Sequence, residues 1–145
     1  MSIPHDGRCY TLSSALSRDF RSKRSYNIFR EQQNQLNMSF GTWSVGGAFL
    51  VNKDAYCRIG GENENFYGWG AEDIERIKRL EILGCPIRRS SGPLYHLYHP
   101  RTNSHYQDMN NLKELIKVSG MLPEELIAYI KTWDWASDQW LVIRV

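Results

Sequence analysis

Residues 63–80 read NENFYGWGAEDIERIKRL. A tryptophan bracketed by Gly68 and Gly70 stands directly before two adjacent acids, Glu72 and Asp73, and a helical pattern follows. Glycine permits backbone torsions and close approaches that other residues resist. An indole between two glycines can therefore present its face at the mouth of a helix. Ile74, Ile77, Leu80 and Leu83 recur at helical spacing, which predicts a helix over 72–83 with these residues inward. Glu72–Arg76 and Glu75–Arg79 then form i,i+4 pairs on its outer side, and Gly84 ends it.

The rest of the chain frames this segment. Residues 13–37 have a thin apolar stripe of roughly helical spacing, and Arg18, Arg21, Lys23, Arg24 and Arg30 are expected on a solvated face. Residues 40–52, FGTWSVGGAFLVN, read as a strand interrupted at Gly46 and Gly47, where glycine suggests a bulge or a close approach. One or two helical turns are expected over 53–59, stopped by Gly60-Gly61. Two short strands, CPIRR and LYHLYH, flank the turn SSGP. Helices are expected over 110–118 and from Pro123 to about Trp133, the latter with Glu124 and Glu125 in its first turn. The tail QWLVIRV reads as a strand. The expected class is mixed α/β, as one domain over 1–145, with too few strands for a complete doubly wound sheet.

Bulk properties exclude several functions. A net charge of +2 gives no electrostatic basis for a nucleic-acid partner. Cys9, Cys57 and Cys85 lack any metal-ligand spacing and are odd in number, so free thiols are expected. The sequence has no run long and apolar enough to span a bilayer, and no secretory signal, which leads us to expect a cytoplasmic protein. A glycosylation sequon, Asn37-Met38-Ser39, carries no weight without such a signal.

The chemistry lies at two places. Acids at a helix start can serve as caps, but one would suffice. A second acid beside an exposed indole suits sugar recognition: the ring stacks on the C–H face of a pyranose and the carboxylates accept from its hydroxyls. One carboxylate can also act as general base toward an attacking hydroxyl. His96 and His99, in HLYHP, are candidate ligands for a divalent metal. In an extended strand, residues three apart point to opposite faces, so the pair needs a bend to share an ion. His5 and His105 have no local partners and are expected to be exposed.

The segment from GGAFLVNKDAYCRIGGENENFYGWGAEDIERIKRLEILGCPIRR to HLYH resembles the C-terminal half of GT-A glycosyltransferases. The likeness is to the β-1,4-galactosyltransferases and the galactosyltransferase-like module of bacterial chondroitin-type polymerases; polypeptide N-acetylgalactosaminyltransferases share a similar block. It covers residues 42–99. The resemblance implies that Gly46 and Gly47 line a sugar site by backbone, that Trp69 is a platform between donor and acceptor sugars, and that Gly70 lets a sugar approach. It implies that Glu72 accepts from donor-sugar hydroxyls and Asp73 is the general base. It also implies that His99, with His96 as a weaker second ligand, completes the coordination of Mn²⁺ on the diphosphate of a UDP-sugar.

Retaining N-acetylgalactosaminyltransferases tend to carry Asn where this chain has Asp73, so inversion is expected. Relatives follow the acidic pair with further acids, whereas Ile74 follows here, so acceptor specificity does not transfer. The family's N-terminal half binds the nucleotide and supplies a DxD, and no DxD occurs in these 145 residues. The expectation is a C-terminal piece that partners an upstream half and transfers sugar weakly or not at all alone. A non-catalytic carbohydrate-binding module, or a structural α/β domain with Trp69 buried, are the other readings.

Overall fold

The elements are short and begin where the sequence supplies a cap or a break. In chain order they are β1 (Ser2–Ile3), β2 (Cys9–Thr11), α1 (Ser14–Lys23), α2 (Asn27–Glu31), a 3-10 turn (Gln33–Gln35), β3 (Asn37–Ser39), α3 (Lys53–Arg58), α4 (Glu72–Ile82), β4 (Arg88–Arg89), β5 (Leu94–His96), α5 (Met109–Ser119) and α6 (Pro123–Ile130). The computed structural model describes residues 1–39, 42–68, 70–100 and 109–136. The class is mixed α/β. The chain divides into two compact units: Met1–Ser2, Phe49–Arg88 and the described residues of 102–145 in the first, and the described residues of Ile3–Ala48 and Arg89–Arg101 in the second. Among the described residues no helix is long and apolar enough to cross a membrane.

In the second unit, β2 is the central strand of a sheet ordered β3-β2-β5. It runs antiparallel to β3, with Tyr10 opposite Met38, and parallel to β5, with Tyr10 opposite Tyr95. Leu12, Leu16, Ile28 and Phe29 form the core, and Phe29 stacks on Tyr95 at 4.2 Å between centroids. The helical stretch expected over 13–37 is broken. Ser13 caps α1 by accepting from Leu16 N at 3.1 Å, a favourable N-cap. Arg24, at φ 48°, then turns the chain out of the helix, so residues 25–39 become a second short helix, a turn and a strand.

The strand expected over 40–52 is not formed by its described residues. Only Leu50 makes a ladder contact, an isolated antiparallel bridge to Ser2. Gly47 explains part of this. It sits at φ 91°, and a β-carbon there would lie 2.5 Å from Leu94 Cδ2.

In the first unit, Asn52 caps α3 by accepting from Ala55 N at 2.9 Å. Tyr56, Ile59 and Leu80 form one apolar cluster, and Val118, Leu126, Ile130 and Trp133 a second. The inward face expected for α4 requires correction. Ile74 is exposed, while Glu75, Arg76, Arg79 and Leu80 are buried. Arg79 is fully enclosed: Nε donates to Glu75 Oε1 at 2.9 Å, Nη1 to Ile59 O at 2.8 Å and Nη2 to Gly61 O at 2.7 Å. Its guanidinium carbon also lies 5.4 Å from the Trp133 ring centre. A buried charge is tolerated when its donors all find acceptors, and the turn after α3 supplies two carbonyls. The expected outer pair Glu72–Arg76 is absent; Arg76 instead engages Glu62 and Asp73. The helix expectations over 110–118 and from Pro123 hold closely, and the tail reading falls outside the described residues.

Candidate functional site

The loop before α4 takes an unusual path. Gly70 has φ 113° and Ala71, at the N-cap position, φ 73°. A non-glycine residue in the left-handed region costs about 1–2 kcal/mol, so the surrounding contacts must hold it there. No side chain caps α4 from Ala71. Glu72 reaches backward instead, and Gly70 N donates to its Oε2 at 2.9 Å. Glu72 is therefore more than a dipole-compensating acid: one oxygen fixes the loop that precedes it.

Asp73 is held differently. Arg76 Nη1 donates to its Oδ1 at 2.5 Å, and the Asp73 side chain keeps 36% of its surface exposed. Among the described residues Oδ2 receives no hydrogen bond. Arg76 also donates to Glu62, through Nη2 to Oε2 at 3.0 Å, and through Nε to Tyr56 Oη at 3.1 Å, while stacking over Phe49 at 4.3 Å. Burial disfavours the charged guanidinium, yet its hydrogen bonds to Glu62 and Asp73 outweigh it and raise its pKa further above the ordinary arginine value. Arg76 is thus a fixed cation that orients Asp73.

Other residues restrain the same loop from α5 and α6. The Asn111 amide donates to Tyr67 O at 2.8 Å and Gly70 O at 3.2 Å, and its oxygen accepts from Tyr67 N at 3.0 Å. Glu114, one turn on, accepts from Asn63 Nδ2 and from the Tyr129 hydroxyl, each at 2.8 Å. Trp69 itself lies outside the described residues.

Gly46, Gly47, His96 and His99 belong to the second unit, and Gly70, Glu72 and Asp73 to the first. Gly46 offers its carbonyl to His5, whose Nε2 lies 3.1 Å away. Gly7 N donates to His5 Nδ1 at 3.2 Å, which assigns the proton to Nε2. His5 is fully buried, which corrects the expectation that it is exposed. His105 falls outside the described residues. His96 ends β5 and the chain leaves the strand there; the His96 and His99 rings lie 5.1 Å apart between centroids, both exposed. His99 Nδ1 lies 3.2 Å from Pro100 O. Donation to that carbonyl leaves Nε2 free to bind a metal. Two imidazoles fit part of a divalent site. They do not complete one, since no group of three metal-binding side chains occurs among the described residues.

Residues 28–102 match the family model described as the N-terminal domain of galactosyltransferase, over more than half of the chain. The chain belongs to this galactosyltransferase family. β-1,4-Galactosyltransferase 7 of Homo sapiens and that of Mus musculus are each 40% identical to it over 48 residues, covering 33% of this chain and 15% of theirs. β-1,4-Galactosyltransferase 4 of Mus musculus is 26% identical over 77 residues, covering 51% of this chain and 22% of its own. The chain therefore spans only 15–22% of the length of these curated relatives. No solved structure matches it.

Within this galactosyltransferase-family chain, reading the sequence missed His5, Glu62, Arg76 and Asn111 as parts of the site's support. Gly46, which His5 engages, and the Tyr67 and Gly70 backbone that Asn111 engages lie more than forty residues away along the chain. Local spacing cannot find such pairs. Arg76 was visible as a helix cation, but its side of the helix was misassigned.

Proposed function

We propose that the chain is the sugar-handling part of an inverting, UDP-sugar-dependent galactosyltransferase-like enzyme, following a nucleotide-binding portion that carries the DxD. The observation that carries this reading is the family match over residues 28–102, which contains the half-exposed acids at the start of α4. In this reading Glu72 uses its second oxygen to accept from donor-sugar hydroxyls, and Trp69 and Gly70 form the sugar platform. Asp73, oriented by Arg76 through Oδ1, takes the acceptor proton on Oδ2 as the hydroxyl attacks the anomeric carbon from the face opposite the departing diphosphate. Gly46 and Gly47 line the sugar site by backbone, with His5 fixing Gly46.

His99, with His96 beside it, would hold Mn²⁺ together with diphosphate oxygens. When bound, that ion neutralises charge on the leaving group. These residues alone, lacking the nucleotide-binding portion, should transfer sugar weakly or not at all.

The test is a transfer assay on the longer DxD-bearing enzyme with UDP-galactose, Mn²⁺ and a saccharide acceptor. Asp73→Asn should lower kcat by about 10²–10⁴-fold, the usual worth of a general base, with little change in donor KM. A change below about threefold would remove Asp73 as the base. The Asp73–Arg76 ion pair favours one other reading, a carbohydrate-binding module without catalysis, because an acid already paired can serve a purely binding loop. In that case Asp73→Asn would leave saccharide affinity intact and the longer protein would show no turnover.

A further inference from the structure

We propose that Asn111, on α5, is a positioning residue for Glu72. It fixes the backbone at Tyr67 and Gly70, and Gly70 N in turn holds the Glu72 carboxylate. The role in sugar binding rests on the proposed function; the restraint on Glu72 does not.

The amide is almost wholly buried and spends its oxygen and both N–H groups on the backbone of Tyr67 and Gly70. An Asn side chain has two donors and one carbonyl oxygen. Here the donors meet the carbonyls of Tyr67 and Gly70 and the oxygen meets Tyr67 N. This pattern also sets which way the amide points. The loop needs such a clamp. Gly70 and Ala71 are consecutive positive-φ residues, and both precede the acid that receives Gly70 N.

Glu114 holds the other end of the same loop through Asn63, so loss of Asn111 releases the end nearest the acids. A residue serving only to pack α5 would reach the apolar clusters. This side chain reaches backbone alone, at the place where the candidate sugar-binding carboxylate is set.

The experiment uses the full 145-residue chain and two variants. Asn111→Ala removes all three hydrogen bonds. Asn111→Asp keeps the acceptor for Tyr67 N and loses both donations. Lys113→Ala, on the exposed side of α5, is the control.

Thermal unfolding establishes which variants fold. In either folded variant, the Gly70 amide should exchange with solvent at least about tenfold faster. The Glu72 side-chain carboxyl resonance should shift, while Lys113→Ala leaves both unchanged. An unmoved Glu72 resonance and an unaltered Gly70 exchange rate in a folded variant overturn the proposal.

Galactose titration supplies the second readout. Affinity should fall by about tenfold, the effect of losing one well-placed hydrogen bond to a charged group. Unchanged affinity despite a shifted Glu72 resonance overturns the role in binding. If the unaltered chain binds no galactose while the loop readouts move, the carbohydrate reading fails and the hold of Asn111 on Glu72 stands.

Discussion

Gly60 sits at φ 94°, and a β-carbon there would lie 2.7 Å from both Ile130 Cγ2 and Trp133 Cζ3. A methyl group at this position meets two penalties: the left-handed torsion, about 1–2 kcal/mol, and overpacking against a closed cluster, about 1–3 kcal/mol. Gly60→Ala should therefore destabilise the fold by about 2–5 kcal/mol, read from denaturant unfolding. Gly61→Ala should cost only the torsion, since nothing lies within 4 Å of its added carbon. Equal losses at the two sites would show that the contact with Ile130 and Trp133 does not matter. The glycine pair was legible as a helix stop because a stop is a local property. The unequal demand on its two members was not, because the atoms that crowd Gly60 come from residues seventy and more positions later. His5 illustrates the same limit: its burial depends on Gly46, which no local pattern links to it.

Helix α4 marks where reading by periodicity succeeds and where it fails. Its existence and extent followed from apolar spacing and Gly84. Its inner face did not, because the buried positions include Glu75, Arg76 and Arg79, and hydrophobic spacing ranks all charges as outward. α5 repeats the lesson: Asn111 is buried while Leu112 and Ile116 are exposed.

The Glu75–Arg79 pair is enclosed on both sides. Burial pushes the Glu75 carboxyl up, and attraction to Arg79 only partly opposes it. An acid whose folded pKa is raised favours the fold fully below its unfolded pKa, near 4.3. That contribution is lost as pH rises through the raised folded value. The pair thus places Arg79 against Ile59 O and Gly61 O more than it stabilises the fold at neutral pH.

Two outcomes follow. Glu75→Gln should flatten the stability–pH curve just above the ordinary carboxylate range, because the titrating group is gone. Arg79→Met should cost about 3–5 kcal/mol at pH 7, since it strands a buried carboxylate and two carbonyls. Thermal melts of both variants from pH 4 to 8 decide the matter. A Glu75→Gln curve parallel to that of the unaltered chain would exclude Glu75 as the titrating group.

At the scale of the whole molecule, the W-G-x-E-D block and its upstream glycines were legible as a family signature, and the match over residues 28–102 bears out the galactosyltransferase-like assignment. What a one-dimensional reading leaves open is the metal. The rings of His96 and His99 lie close together, which the strand periodicity of two argued against, because the chain leaves the strand at His96. Two imidazole nitrogens give a divalent ion too few donors for tight binding, and under the proposed function the diphosphate of the donor would supply others.

The 145-residue chain should therefore bind Mn²⁺ weakly. If the proposed function holds, affinity in the longer enzyme it implies, with its DxD-bearing portion, should rise sharply when UDP is present. There His99→Ala should weaken Mn²⁺ binding by at least about tenfold, on the scale by which even outer-shell partners of a metal site count. His96→Ala should weaken it less, since His99 is the better-assigned ligand. Titration of the free-ion electron paramagnetic resonance signal, with and without UDP, measures each affinity directly and requires no turnover. An affinity indifferent to His99→Ala in the presence of UDP would take both histidines out of the metal site. The acids at the start of α4 would then be the remaining candidates for the chemistry.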